Sequence, residues 1–243
     1  YFTLRIFHFS IHLVTAYKEM RKNLKIDWTK KLNELTKNNP AKSWNNIYQL
    51  IILPMYKEES GLVRETVQAL VNCDYPKDKM IVVLATEEMA GENAQGVGKA
   101  IVEEFGNRFF QFLVTYHPKD ILGEIAGKGS NEAWAGKEVK EKIIDIFKIP
   151  YENIIVSTFD IDTQVYPQYF TCLTYCYLTS SNPARSSFQP IPLYLNNIWD
   201  APFFSRVVAF SNVFWETIQQ QRPEKIVTYS SHSNSFKAIV EIN

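Results

Sequence analysis

Two acidic residues, Asp160 and Asp162, flank Ile161 and directly follow the apolar segment 153–159. A buried strand ending in this way would direct both carboxylates, or one of them with the second reached through a turn, into the crevice beyond the sheet. Neighbouring carboxylates repel each other, and a divalent cation between them would offset that cost. Oxygen ligands of this kind suit Mg²⁺ or Mn²⁺. The pattern therefore indicates a site for a metal-bound diphosphate, although the same spacing also arises by chance.

Polar residues also follow two other apolar segments. Tyr56 and Glu58 come after residues 47–53 and the adjoining Pro54, and Glu87 comes after residues 80–85. An aromatic ring can stack on a base, and a carboxylate can accept hydrogen bonds from ribose hydroxyls or a base N–H. A solvated loop explains the same residues equally well. The glycine-rich dinucleotide fingerprint and the P-loop sequence are both absent.

Lys128 lies in the segment Gly-Lys-Gly-Ser-Asn, residues 127–131, in front of a long predicted helix. Small residues allow a ligand to approach the backbone closely, and Lys128 supplies a positive charge. Ser130 or Asn131 can cap the helix. A helix N-terminus beside a lysine predicts a diphosphate site, and a simple capped loop is the alternative.

The segments that position these residues alternate between apolar runs and helical patterns. Runs rich in β-branched residues predict buried strands over residues 47–53, 80–85, 109–115 and 153–159. Helical spacing of apolar residues predicts helices over residues 61–73, 94–105 and 131–147. This alternation predicts an α/β fold with a mainly parallel, Rossmann-like sheet flanked by helices. The remainder is predicted to be an aromatic-rich α+β half, with helices over residues 166–179 and 203–221 and a strand over residues 236–242.

Composition narrows the class of protein. Of the 243 residues, 46% are hydrophobic and 21% are charged, which is typical of a folded globular chain. Lys and Arg number 26, as do Asp and Glu, and this balance argues against a general nucleic-acid binder. The cysteines Cys73, Cys172 and Cys176 have neither disulfide-framework nor zinc-site spacing. Packing is the expected role of Cys172 and Cys176, which fall on one helix face.

Residues 1–17 are apolar and aromatic, and a basic cluster follows them at Lys18, Arg21, Lys22 and Lys25. The segment is shorter than the roughly 20 residues of a spanning helix. It is either the cut end of a transmembrane helix with the basic cluster on the cytoplasmic side, an interfacial amphipathic helix, or a helix packed on a domain. We expect membrane association, because an aromatic-rich segment with a basic flank is unusual at the start of a soluble protein.

Three segments occur in order at the predicted ends of strands and helices: ILPMYKEE at residues 52–59, GKGSN at 127–131 and STFDID at 157–162. Together they resemble the family 2 glycosyltransferases, which have the GT-A fold and use nucleotide-diphosphate sugars. This resemblance covers residues 49–162. The later segment, residues 192–238, is similar to the acceptor-facing part of the bacterial, membrane-embedded, cellulose-synthase-like branch.

The resemblance implies a role for each matching residue. The donor-binding residues would be Pro54, Tyr56, Glu58, Glu87, Lys128 and Asp160, and the metal ligands would be Asp160 and Asp162. Glu87 stands where the family commonly has an aspartate that contacts the nucleoside. The implied reaction is an inverting, metal-dependent transfer from a nucleotide donor, with a UDP-sugar expected, to a polysaccharide or lipid-linked acceptor. The implied location is the cytoplasmic face of the bacterial inner membrane.

The sequence identifies the acceptor-binding residues and the general base less specifically than it identifies the donor-binding residues. Tyr194, Trp199 and Trp215 are candidates for stacking on acceptor sugars, and packing explains them equally well. The family's Ser/Thr-Glu-Asp base motif does not occur up to Asn243, so the catalytic residue stays unassigned and we expect it beyond that position. An inactive nucleotide-sugar-binding or interaction module is the alternative from another class.

These observations divide the chain into four predicted segments. Residues 1–28 would be a membrane-proximal or interfacial helix, and residues 29–46 a polar helix with a linker. Residues 47–163 would form the nucleotide-sugar-binding half of a GT-A domain. Residues 164–243 would form an incomplete acceptor-side half.

Overall fold

The alternation of strands and helices is present in the structure, a computed structural model that describes all residues except 126, 196–197, 222–227, 229–230 and 243. The helices are α1 (Phe2–Asn23), α2 (Trp28–Asn38), α3 (Ser60–Asn72), α4 (Gly91–Phe105), α5 (Lys128–Val139), α6 (Tyr169–Thr179), α7 (Phe203–Gln219) and α8 (Phe236–Ile242). The strands are β1 (Tyr48–Pro54), β2 (Met80–Glu87), β3 (Gln111–His117), β4 (Ile154–Thr158), β5 (Ser187–Phe188) and β6 (His232–Ser235).

The described strands form a six-stranded sheet in the order β3-β2-β1-β4-β6-β5. The first four strands along the chain pair in parallel, and β1 lies between β2 and β4. The strands β6 and β5 extend the β4 side through antiparallel pairs. The predicted mainly parallel α/β fold is confirmed.

The side chains of each central strand point alternately to the two faces of the sheet, and helices cover both faces. In β1, Ile51 and Leu53 pack on the face covered by α3, α4 and α6, whereas Leu50 and Ile52 pack on the face covered by α5 and α8. The same alternation runs through β2. A strand covered on both faces can be apolar at every position, which explains its continuous hydrophobic run.

The chain divides into two compact units, each described here by itself. Unit 2 contains the sheet and comprises Trp28–Phe188 with Ser230–Asn243. Unit 1 comprises Tyr1–Asp27 with Gln189–Tyr229 and contains α1 and α7. In unit 1, the rings of Phe9 and Trp215 meet edge to face with centroids 5.9 Å apart, and Gln221 Nε2 donates to Glu19 Oε2 at 2.7 Å. The four-segment division made from the sequence stays a prediction.

The structure corrects one predicted element and shifts others. Residues 236–242, predicted as a strand, form α8, because Phe236, Ile239 and Val240 recur at helical spacing and pack against the apolar cluster under β4. The adjoining polar residues form β6 instead, where the Ser233 hydroxyl hydrogen-bonds to that of Ser157 on β4 at 2.8 Å. The long helix predicted over residues 131–147 begins earlier as α5 and continues as a π-helical turn over Lys140–Ile144.

The helical assignment of α8 can be tested with two isoleucines. Ile239→Ala should lower the free energy of unfolding by about 1–2 kcal/mol, because this half-buried side chain shares a helix face with buried Phe236. Ile242→Ala, at the exposed end, should change it by less than about 0.5 kcal/mol. Urea denaturation measures both values. A strand would place Ile242 on the face of Phe236, so the reverse ranking would contradict the helix.

Candidate functional site

The parallel pairing of β1, β2 and β4 brings most of the predicted donor-binding residues to one edge of unit 2. Pro54, the last residue of β1, pairs with Ala85 on β2, and Glu87 ends β2 opposite His117. On the other side of β1, Ile52 pairs with Thr158, the last residue of β4, and Asp160 follows two residues later. Carboxyl ends of parallel strands meet in this way, and ligands of open α/β sheets bind there.

Lys128 and Asp160 form an ion pair at this edge, although 32 positions separate them in the sequence. Lys128 is the first residue of α5, and the preceding Gly127 has a φ of 155° that favours glycine. Both side chains of the pair are 43% exposed. A pair this exposed stabilises a fold by at most about 1 kcal/mol, so an anionic ligand could draw Lys128 away at little cost.

Neither Ser130 nor Asn131 caps α5 with its side chain, contrary to the prediction. Ser130 Oγ donates to the Gly127 carbonyl at 2.7 Å. Asn131 is buried, and its Nδ2 donates to the carbonyl of Ala85 on β2 at 2.7 Å. This bond fixes the start of α5 to the carboxyl end of the sheet, and it thereby helps to position Lys128.

Glu132 is a further carboxylate at this edge that the sequence analysis missed. Its Oε1 lies 3.8 Å from Lys128 Nζ, one helical turn away. Burial raises the pKa of Glu132, the Lys128 charge lowers it, and the Asp160 charge raises it. The available signal was a glutamate in the first turn of the predicted helix, four residues after Lys128.

The loop that carries Asp160 and Asp162 is held from two directions. On one side, Thr66 Oγ1 on α3 donates to the carbonyl of buried Ile161 at 2.6 Å. On the other, the Asp160 amide donates to Ser231 Oγ at 3.3 Å, and Ser231 Oγ lies 3.1 Å from Thr163 Oγ1. Ser231 adopts the left-handed conformation with φ of 62°. Sequence reasoning missed Ser231, because only the β4–β6 pairing brings it beside the acidic loop.

Tyr56 and Glu58 hydrogen-bond to each other in the loop after β1. The Tyr56 amide donates to Glu58 Oε2 at 2.6 Å, and the Tyr56 ring is exposed, with Lys57 Nζ 4.9 Å from its centroid. An exposed ring beside a cation offers a stacking surface. The carboxylate stabilises its own loop, and its predicted contact with a ribose stays a prediction.

Glu87 lies in the wall of a cavity of about 220 Å³ beyond β2 and β3. The lining residues are Glu87, Met89, His117, Pro118, Lys119, Asp120, Ile121 and Glu124. His117 is buried, its Nε2 lies 3.4 Å from Glu124 Oε1, and its ring meets the Trp134 ring edge to face at 5.7 Å. The sequence analysis missed this histidine, which ends β3 two residues later than predicted.

The described residues contain no group of three or more His, Cys, Asp or Glu side chains placed to hold a metal ion. Mg²⁺ sites in enzymes often combine only one or two carboxylates with substrate phosphates and water. Asp160 and Asp162 fit that pattern, since a carboxylate has two oxygens and the bond from Lys128 engages one of Asp160's. The acidic loop therefore suits a cation that arrives with a diphosphate.

The predicted acceptor residues lie in unit 1. Tyr194 lines a shallow depression of about 420 Å³ on α7, together with Phe204, Ser205, Val208, Ala209 and Asn212. Trp199 is 74% exposed, and Trp215 is partly covered by Phe9. In the same unit, burial raises the pKa of Glu216. Within the segment 192–238, which is similar to the cellulose-synthase-like branch, residues 196–197, 222–227 and 229–230 lie outside the described residues.

Comparison with known proteins gives similarity to solved structures only, because no protein-family model and no curated protein matches the sequence. A mannosyltransferase from Pyrobaculum calidifontis, PcManGT in complex with GDP-Man and Mn²⁺, superposes with a TM-score of 0.52 at 12% identity. The match covers 97% of this chain and 58% of that one, so the chain spans less than two thirds of the mannosyltransferase. The chain has a GT-A-type glycosyltransferase fold.

Two further glycosyltransferase structures match a smaller share of this chain with lower TM-scores. TarS of S. aureus in complex with UDP-GlcNAc is 19% identical, with a TM-score of 0.35, over 53% of this chain and 30% of that one. Mouse xyloside xylosyltransferase 1 in its apo form is 12% identical, with a TM-score of 0.35, over 80% and 69% of the respective chains.

The charge of Glu132 gives a pH-dependent prediction. Because its folded pKa lies above the ordinary 4.5, the ionised carboxylate costs stability at pH 7, and this cost disappears once the pH falls below 4.5. Glu132→Gln should therefore stabilise the chain at neutral pH, with an advantage that shrinks as the pH is lowered towards 4. Thermal unfolding across that range measures it. The control is Glu138→Gln on α5, and a gain for Glu132→Gln that grows on acidification would contradict the assignment.

Proposed function

We propose that the chain transfers a sugar from a nucleotide-diphosphate donor to an acceptor hydroxyl, in the manner of the family 2 glycosyltransferases. The observation that carries the proposal is the convergence of Lys128, Asp160 and Glu132 at the carboxyl edge of the sheet, with Asp162 in the adjoining loop. The GT-A-type fold supports it. A UDP-sugar donor and the cellulose-synthase-like branch are parts of the same proposal.

The charges at this edge suit a diphosphate that carries a divalent cation. Lys128 lies beside the carboxylates of Asp160 and Glu132, and Asp162 follows Asp160 by two residues. The negative charges outnumber the single positive charge, so these side chains favour a cation over a bare anion. Asp160 and Asp162 would hold the Mg²⁺ or Mn²⁺, and Lys128 would turn from Asp160 to a phosphate oxygen. When bound, such a cation neutralises charge that develops on the leaving diphosphate.

The nucleoside would lie along the ends of β1 and β2. Pro54 and Tyr56 would contact the base, and Glu58 and Glu87 would accept hydrogen bonds from the ribose or base. The cavity walled by Glu87 and His117 lies at this end of the sheet, and its buried histidine and carboxylates can bind polar edges of a ligand.

In the proposed reaction, the acceptor oxygen attacks the anomeric carbon as the bond to the diphosphate oxygen breaks. The nucleoside diphosphate leaves with the electron pair, and attack from the opposite face inverts the anomeric configuration. Lys128 would stabilise the leaving group by its charge. Proton removal from the acceptor needs a general base, and that residue stays unassigned. The acceptor would be a polysaccharide or lipid-linked glycan, and Tyr194, Trp199 and Trp215 would stack on its sugars.

Donor binding can be measured by calorimetry with UDP and GDP, each with and without Mn²⁺. Asp162→Asn should weaken Mn²⁺-dependent nucleotide binding by about 10- to 100-fold, because it removes a charged ligand from the cation. Asp78→Asn, an exposed aspartate just before the opposite end of β2, should bind like the native chain. Equal binding by both variants, or binding that ignores Mn²⁺, would contradict the metal-assisted site. Nucleotide binding without any sugar transfer by a longer protein would favour the inactive module.

We also propose that unit 1 attaches the protein to an anionic membrane surface, at the cytoplasmic face of the bacterial inner membrane. Its described helices α1 and α7 expose large apolar side chains: Phe2, Leu4, Ile6, Phe7 and Ile11 on α1, and Phe203, Phe204, Val207, Val208 and Phe210 on α7. Exposed apolar surface of this extent marks an interaction site. No helix among the described residues is long and apolar enough to cross a membrane.

Charge and residue type favour lipid as the occupant of this surface. The exposed basic residues Lys18, Arg21, Lys22 and Lys25 lie at and just beyond the end of α1, next to the apolar segment. Anionic headgroups attract basic residues by about 1 kcal/mol each near the surface. Aromatic rings with a basic flank are typical of helices that lie in the interface plane.

Vesicle co-sedimentation tests the attachment. The chain should bind vesicles of phosphatidylcholine with phosphatidylglycerol and should bind pure phosphatidylcholine at least about tenfold less, because the basic cluster contributes only on the anionic surface. Phe203→Ser with Phe204→Ser should weaken binding about tenfold or more by removing apolar insertion. The control is Lys142→Ser, an exposed basic residue of unit 2. Equal binding to both vesicle types, or self-association without binding, would contradict the proposal.

A further inference from the structure

Two histidines of unit 1 lie one helical turn apart on α1. Their ring nitrogens, His8 Nε2 and His12 Nε2, are 3.2 Å apart, and the ring centroids are 4.3 Å apart with the ring planes at 80°. His8 is exposed and His12 is half-buried. Side chains at i and i+4 share one face of a helix, so the regular backbone of α1 holds the two rings together.

The distance between the two nitrogens fits two ligands of one metal ion. Zn²⁺ binds neutral imidazole nitrogens at about 2.0–2.1 Å in tetrahedral geometry, and two ligands at that bond length are about 3.3–3.4 Å apart. The observed 3.2 Å agrees with this separation to within about 0.2 Å. The torsion that turns each ring is broad, so both lone pairs can be directed to one point without moving the helix.

The proton balance of the pair also suits a metal ion. The contact is a hydrogen bond, so one Nε2 atom carries a proton and the other accepts it. If both rings carry their proton on Nδ1 instead, two lone pairs face each other across the same gap. A cation between the two Nε2 atoms would then take the place of the shared proton.

The turn of α1 that carries the pair is anchored at one end and open at the other. The ring of Phe9, which adjoins His8, meets the ring of Trp215 on α7 edge to face with centroids 5.9 Å apart. Solvent reaches His8, so an ion can enter and water can complete its coordination. The two ligands are therefore held by the fold while the site stays accessible.

The positive charge nearest to the pair in the sequence is directed away from it. Arg5 precedes His8 by three residues, and its guanidinium carbon lies 4.5 Å from the ring centroid of Tyr1, towards the start of the helix. The stacking on Tyr1 holds the charge on the side opposite to His12. Repulsion between Arg5 and a cation at the histidines is reduced accordingly.

We infer that His8 and His12 form a two-histidine binding site for a divalent transition-metal ion, with Zn²⁺ as the ion that the nitrogen spacing fits. Imidazole suits Zn²⁺, Cu²⁺ and Ni²⁺, whereas Mg²⁺ takes oxygen ligands. The site therefore differs in chemistry from the acidic loop of unit 2. The two rings supply two of the four tetrahedral positions, and water supplies the other two.

A bound ion would link two successive turns of α1. The two rings reach one ion when residues 8 to 12 are helical, so the ion binds the folded helix more tightly than the unfolded chain. Binding of that kind stabilises the folded form by mass action. The site thus offers a way in which a metal ion could strengthen α1.

Calorimetry of the full chain without an affinity tag, titrated with ZnCl₂, tests the site. His8→Ala and His12→Ala should each weaken Zn²⁺ binding at least about tenfold, because each removes one of the two protein ligands. MgCl₂ should not compete with Zn²⁺. Undetectable Zn²⁺ binding by the native chain, or unchanged binding in either variant, would overturn the inference.

The matched control moves one ring and keeps the number of histidines. His12→Ala combined with Val14→His places the second ring at an exposed position of α1, six residues from His8 and on a different face. This double variant should bind Zn²⁺ as weakly as His12→Ala alone. Native affinity in the double variant would show that the spacing is irrelevant and would contradict the site.

A chemical label locates the ion in the native chain and does not depend on the folding of any variant. Diethyl pyrocarbonate acylates unprotonated ring nitrogens of histidine, and a bound metal ion blocks them. ZnCl₂ at about ten times its measured Kd should slow acylation of His8 and His12 about tenfold, as followed by mass mapping of residues 6–18. MgCl₂ should leave the rate unchanged. Equal rates with and without Zn²⁺ would rule out the site.

Discussion

The parallel pairing of β1 with β2 on one side and β4 on the other is the constraint on which the rest of unit 2 depends. Parallel strands need crossover connections, so the helices cover both faces of the sheet and the turns at the strand ends meet at one edge. Apolar side chains occupy both faces of β1, and polar groups are therefore left only at its ends. The candidate site follows from this arrangement, because Pro54, Glu87 and Asp160 reach the same edge from three strands.

At that edge each ion pair is weak on its own, and the charged side chains can exchange partners. The pair between Lys128 and Asp160 is half-exposed, and Glu132 shares the same lysine from the next helical turn. By contrast, hydrogen bonds fix the backbone beneath them. Asn131 on α5 donates to a carbonyl of β2, and Thr66 on α3 donates to a carbonyl of the acidic loop. A rigid backbone with exchangeable charges suits the binding of a charged ligand, since the ligand replaces existing ionic partners without moving the elements that carry them.

The two units use their apolar residues in different ways. Unit 2 buries the apolar side chains of its central strands on both faces of its sheet. In the described part of unit 1, α1 and α7 leave many large apolar side chains exposed. An unpaired apolar surface beside a basic cluster is the physical basis for proposing a lipid partner for unit 1.

The sequence by itself determined the α/β fold and the candidate acidic loop. Continuous β-branched runs are diagnostic of strands buried on both faces, and polar residues at their carboxyl ends point to the edge where ligands bind. It misassigned residues 236–242, because a short apolar run fits a strand or a helix until its packing partners are known. Ser231 and His117 emerged only from tertiary structure, as did the ion pair between Lys128 and Asp160. Their roles come from contacts between residues far apart in the chain or from burial, and local sequence patterns encode neither.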